Sequence, residues 1–93
     1  MPDCEASMQA VAERLRVTRS VFGLNQREFA EGAGIAANTY NQYEQAERRP
    51  QLDHAIVLVR RYKLTLDWIY LGDPSGLRHE TAEAIRAIRQ ARR

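Results

Sequence analysis

Apolar residues recur at helical spacing near the start of the chain: Met8, Val11, Leu15 and Phe22, with Ala12 and Thr18 extending the stripe. Side chains three and four positions apart share one face of a helix, so the pattern predicts a first helix from Ser7 to Phe22. Gly23 follows directly, and a glycine there can take the left-handed conformation that ends a helix. Arg14, Arg16 and Arg19 fall largely off the stripe and are expected on a solvated face.

The next stretch, Asn25 to Glu44, predicts two short helices with a glycine elbow between them. Asn25 with Glu28 is an Asn-x-x-Glu variant of the capping box. It opens a helix from Gln26 to Gly32 that buries Phe29, Ala30 and Ala33, with Ala30 small enough for a close helix crossing. Gly34 is free to take positive φ and reverse the chain, and Ile35 plugs the corner. A third helix is predicted from Ala37 to Gln45. Tyr40 and Tyr43 share one of its faces, while Ala37, Asn38, Thr39, Asn41 and Gln42 fall largely on the others.

A charged loop runs from Gln45 to Pro50, extended before the proline because that residue is pushed out of the helical region. Leu52, Ala55, Ile56 and Val59 mark a fourth helix, and Leu58 and Tyr62 broaden its apolar face, so it is expected to be the most buried helix. His54 is expected at the surface or with its hydrogen bonds satisfied. Arg60, Arg61 and Lys63 complement the dipole at its end. Thr65 can cap a short fifth helix, Leu66 to Leu71, which returns Leu66, Trp68 and Ile69 to the core. A turn-rich break at Asp73–Gly76 leads to a final segment, Arg78 to Arg93. Its stripe of Ala82, Ile85, Ile88 and Ala91 is thin, so it docks on the bundle, pairs with a second subunit, or frays. No strand pattern and no internal repeat interrupts this all-α reading.

Composition adjusts the picture little. At 93 residues, 44% apolar and 28% charged, the chain reads as one ordinary globular domain. Its longest apolar run, Ala55 to Val59, is too short to cross a bilayer. The acidic start, Met-Pro-Asp-Cys-Glu, is not a secretory signal. A lone cysteine, Cys4, cannot form an internal disulfide, and a cytoplasmic location is expected. Charge is unevenly spread: residues 1–76 sum to −1, whereas Leu77 to Arg93 sum to +3. Nucleic-acid binders show a basic footprint, so any DNA contact by the central region must come from locally placed side chains.

Little here supports catalysis. His54, His79 and Cys4 form no spaced metal-ligand set, no glycine-rich phosphate loop follows a strand, and no enzyme activity, metal or cofactor is expected. The third helix carries few charges on its exposed side and is rich in Asn and Thr, which are mediocre helix formers. Asn and Gln offer a donor and an acceptor together, matching adenine N6 and N7 in the major groove. The competing reading is a solvated helix that happens to be amide-rich. Arg48 and Arg49, on the loop beside it, are candidate phosphate contacts.

From about Ala10 to Gly72, two thirds of the chain, the sequence resembles the Cro/CI-type (XRE-like, lambda-repressor-like) helix-turn-helix family. The matching positions are Gln26, Phe29-Ala30, Gly34-Ile35, Asn38-Thr39-Tyr40, Tyr43-Glu44, Pro50, Leu64-Thr65-Leu66-Asp67-Trp68-Ile69 and Gly72. The resemblance implies a five-helix bundle over residues 7–72, with residues 73–93 adding a turn and a basic C-terminal helix for docking or dimerisation. It implies a bacterial or phage-encoded regulator, a repressor in the first reading, that binds a palindromic double-stranded DNA operator as a homodimer. Carried over by position, Ala37, Asn38 and Gln42 touch base edges with Asn41 adjacent. Gln26 and Thr39 contact phosphates, Arg27 joins that set with Arg48 and Arg49, and Glu44 fixes helix three to its neighbours. Two positions depart from the family. Ala36 stands where a Ser or Thr N-cap is usual, and Ala46 replaces the usual glycine after helix three. Either Ala46 is left-handed or helix three ends differently. The rival function is an antitoxin-type module that binds a protein partner, for which only the last 17 residues could serve as the partner-binding segment.

Overall fold

The computed structural model describes residues 6–92; Cys4 and Arg93 lie outside them. All regular structure among these residues is helical: α1 (Met8–Phe22), α2 (Gln26–Gly32), α3 (Ala37–Glu44), α4 (Leu52–Tyr62), α5 (Asp67–Leu71, a π-helical turn) and α6 (His79–Ala91). The family-like bundle with an added C-terminal helix is therefore what the chain forms.

Helix ends follow the local chemistry. Ser7 caps α1, its hydroxyl accepting from the Ala10 N–H at 3.0 Å, and Gly23 closes the helix at φ 67°. The capping box of α2 is complete: the Asn25 side chain accepts from the Glu28 N–H at 2.8 Å, and the Glu28 carboxylate accepts from the Asn25 N–H at 3.0 Å. Gly34 reverses the chain at φ 79° and Ile35 is buried behind it. α5 begins one residue later than the spacing predicts, with Leu66 at the cap position and no side-chain cap bond; the Thr65 hydroxyl just ahead of it accepts from the Trp68 N–H at 2.9 Å.

The centre of the bundle is α1, not α4. Val11, Ala12, Arg14, Leu15, Val17 and Thr18 are all buried, because α3, α5 and α6 pack around this helix. On α4 only Ala55, Leu58 and Tyr62 are buried; Leu52 is 56% exposed and Ile56 and Val59 are half-buried. Leu66 likewise stays partly exposed at 37%, while Trp68 and Ile69 enter the core as expected. An aromatic cluster links α2 to α4: Phe29 stacks on Tyr62 with centroids 4.2 Å apart, and the Tyr62 hydroxyl donates to the Phe29 carbonyl at 2.7 Å.

The arginines of α1 are not a solvated face. Arg14 is 3% exposed, with its Nε donating to the Ile69 carbonyl at 3.1 Å. Arg16 donates to the Glu44 carbonyl at 2.6 Å, and Arg19 grips the Glu44 carboxylate. A stripe of apolar residues locates the core side of a helix, but it cannot reveal that polar neighbours flanking it will be covered by other elements.

The final helix docks. Ile85 and Thr81 are buried and Ala82 and Ile88 half-buried, whereas Ala91 is exposed. Arg89 locks α6 to α1 by a paired contact with the Glu13 carboxylate, at 3.1 and 2.5 Å. Its guanidinium also lies over the Trp68 ring, 5.2 Å from the centroid.

Candidate nucleic-acid interface

Helix α3 is seated by a buried carboxylate. Glu44 is 1% exposed and receives Arg19 through Nε at 2.8 Å and Nη2 at 3.0 Å. The Gln26 amide donates to the same carboxylate at 3.0 Å. One side chain thus joins α1, the start of α2 and the end of α3. Burial alone would raise the Glu44 pKa, but hydrogen bonding from Arg19 and Gln26, the nearby Tyr40 hydroxyl and the Arg19 charge outweigh it, so the pKa falls below the ordinary carboxylate value. The Arg19 pKa is raised by the same hydrogen bond. The Tyr40 hydroxyl is buried with no partner in hydrogen-bond geometry among the described residues; burial first, and the Glu44 charge second, push its pKa up. Glu44 therefore fixes α3 to its neighbours and does not face outward.

The opposite side of α3 presents the amides. Asn38 is exposed, and Ala37, Thr39, Asn41 and Gln42 are half-buried. The start of the helix lacks a side-chain cap at Ala36, which is extended at φ −62° and ψ 137°. The Asn38 oxygen supplies a local substitute by accepting from the Thr39 N–H at 3.0 Å. On its inner face Tyr43 is anchored to α4 by a 2.7 Å hydrogen bond with His54 Nδ1, which pairs one ring nitrogen of that histidine.

Ala46 is left-handed at φ 59°. Its N–H donates to the Tyr43 carbonyl at 3.3 Å and the Glu47 N–H to the Gln42 carbonyl at 3.0 Å, the pair of reversed bonds that closes a helix in the Schellman motif. The chain makes the family's turn with an alanine. The turn carries Arg48 back onto α3, where its Nη1 donates to the Gln42 side-chain oxygen at 3.2 Å. Arg49 points elsewhere, donating to the Ala6 carbonyl ahead of α1. Pro50 is buried, and its carbonyl accepts from the Tyr70 hydroxyl at 2.8 Å.

Asn38 and Gln42, four positions apart on α3, share one surface with Arg48, while Ala37 and Asn41 are half-buried on the flank nearer Glu44. Gln26 is held inward on the Glu44 carboxylate, and Arg27 is exposed on α2. Arg49 is turned toward the N-terminal residues instead. Missing from the sequence reading are Arg19 and the Arg48–Gln42 contact. A carboxylate at the buried end of α3 demands a cation, and Arg16 and Arg19 on α1 were the available signal. Nothing in the sequence signals that residue 48 returns to residue 42. A groove of about 900 Å³ lies away from this surface, between the 72–77 turn and α6, with Trp68 and Ile85 in its lining. Among the described residues no group of His, Cys, Asp or Glu could hold a metal ion. No helix there is long and apolar enough to cross a membrane.

Residues 22–69 match the model of a family described as helix-turn-helix. The chain is 37% identical over 57 residues to an uncharacterized HTH-type transcriptional regulator, YobD, of Bacillus subtilis (strain 168), covering 61% of this chain and 51% of the relative. It is 28% identical over 82 residues to the HTH-type transcriptional regulator ImmR of the same organism, covering 88% of this chain and 65% of the relative. The chain thus spans between half and two thirds of the length of these relatives. No solved structure matches it significantly. With the capped α2, the Gly34 elbow and the amide-bearing α3 all in place, the chain belongs to the XRE-like helix-turn-helix family.

Proposed function

We propose that this chain binds double-stranded DNA in a sequence-dependent way and regulates transcription, as a repressor, with α3 in the major groove. The observation that carries this reading is the two-sidedness of α3. Its inner face is pinned by Tyr40, Tyr43 and Glu44, so that the exposed Asn38 and the half-buried Ala37, Asn41 and Gln42 are carried on a rigid element. Hydrogen-bond readers need such support to discriminate base edges. Gln26 at the α2 N-terminus, Thr39 and the exposed Arg27 supply phosphate contacts, helped by backbone N–H groups there. Arg49, held on the Ala6 carbonyl, is not part of this set. Two copies on a palindromic operator would place their α3 helices about 34 Å apart, one turn of duplex. The names of the two regulators support the same reading.

The rival, a protein-binding module of antitoxin type, needs the C-terminal segment to be available to a partner. That segment is packed on α1 through Ile85, Arg89 and Glu13, which speaks for the DNA-binding reading.

Selection from a pool of randomised duplexes at low salt, followed by a salt titration of the winning sequence, tests the proposal. One arginine per subunit at a phosphate, Arg27, predicts a slope of log affinity against log salt of about −1 per subunit and about −2 for a dimer. Recovery of no preferred duplex at low salt would refute it.

A further inference from the structure

We propose that Gln42 and Arg48 act as one composite reader that shows the major groove only hydrogen-bond donors and so selects guanine rather than adenine. The inference rests on the reading of α3 as the DNA-contacting helix. A guanidinium has donors and no acceptor, so only the amide oxygen of Gln42 can face Arg48, and it does so at 3.2 Å. The backbone brings the two residues together. With Ala46 left-handed, the Glu47 and Arg48 N–H groups both donate to the Gln42 carbonyl, at 3.0 and 3.3 Å. Residue 48 is therefore tied to residue 42 by its main chain as well as by its side chain.

The consequence concerns base identity. An isolated glutamine suits adenine because its oxygen accepts from N6 while its NH₂ donates to N7. Here that oxygen is turned toward a cation, and an incoming adenine amino group would meet guanidinium N–H groups beside it. What the pair offers outward is the Gln42 NH₂ and the rest of the Arg48 fork, all donors. Guanine is the base whose major-groove edge carries two acceptors, N7 and O6. Arg48 is then a specificity-determining residue, and the adenine preference that Gln42 suggests by itself is reversed by its neighbour.

Selection from randomised duplexes with the full chain and with Q42A, R48A and R49A tests this. The wild type should prefer guanine over adenine by roughly tenfold at one base position, and Q42A should relax that position alone. R48A should lose the guanine preference there and accept adenine at least as well, with other positions unchanged, while R49A leaves every base preference as in the wild type. The inference is overturned if the Gln42-dependent position selects adenine in the wild type, or if no position depends on Gln42. It also fails if R48A lowers affinity uniformly with guanine still preferred, which would make Arg48 a phosphate contact. Those outcomes leave the DNA-binding reading standing; only the absence of any bound duplex removes both.

Discussion

Ala46→Gly isolates the strain at the end of α3. At φ 59° the alanine Cβ crowds its own backbone, which costs an L-residue roughly 1–2 kcal/mol relative to glycine. Glycine gives part of this back, because its unfolded chain is more flexible by about 0.4–1 kcal/mol. The balance favours glycine by about 1 kcal/mol, with the two reversed hydrogen bonds from Ala46 and Glu47 unchanged. For a chain of this size that is a rise in Tm of about 4–8 °C. Urea unfolding followed by the fluorescence of Trp68, the single tryptophan, would read the effect as a higher midpoint at an unchanged m-value. Ala46→Val should move the other way, since a β-branched side chain tolerates positive φ least. An unchanged or lowered midpoint for Ala46→Gly would refute the assignment of the left-handed turn, and with it the geometry that brings Arg48 to Gln42.

Other consequences of the structure are open to direct measurement. Because the folded pKa of Glu44 lies below its unfolded value, the unfolded state binds more protons in the acid range. The stabilisation is therefore full above about pH 5 and is lost as pH falls through the lowered folded pKa. Glu44→Gln should cost about 2 kcal/mol at neutral pH by weakening the charge-assisted bonds from Arg19, whose own charge stays partly solvated, and should flatten the acid limb of a stability-versus-pH curve. Ala36→Ser should raise stability by about 1 kcal/mol, by supplying the missing N-cap of α3; chemical denaturation checks it, and no change would mean that the Asn38 oxygen already suffices. Truncation after Gly76 removes α6, exposing the surface now covered by Leu77 and Ile85, and should destabilise the domain by about 3–6 kcal/mol. A red-shifted Trp68 emission should accompany that loss, because Arg89 no longer covers the ring.

Much of this architecture is written in local sequence. The helix periods, the Asn25–Glu28 capping box, the elbow at Gly34 and the break after Gly72 each depend on residues within a turn of one another, and the structure places them where the spacing indicates. The same locality explains why the amide face of α3 was legible: once Tyr40 and Tyr43 are assigned inward, Asn38, Asn41 and Gln42 have only the other faces to occupy. Which helix forms the centre was not legible. An amphipathic stripe reports how apolar a helix face is, whereas burial depends on how many other elements pack around it, and α1 is covered by three.

Tertiary structure alone decided the polar arrangements. Arg19, read from sequence as solvated, becomes the counter-charge of Glu44 across a separation of 25 positions, a pairing that no helical period can encode. Docking of α6 was one of three open alternatives; α6 packs on α1 with Ile85 buried, and the half-exposed Arg89–Glu13 pair marks the same contact. Ala46 shows the division most sharply. Its identity is a sequence fact that argues against a left-handed turn. The chain takes that turn because packing and hydrogen bonding on both sides of Ala46 offset a local strain of only about 1–2 kcal/mol.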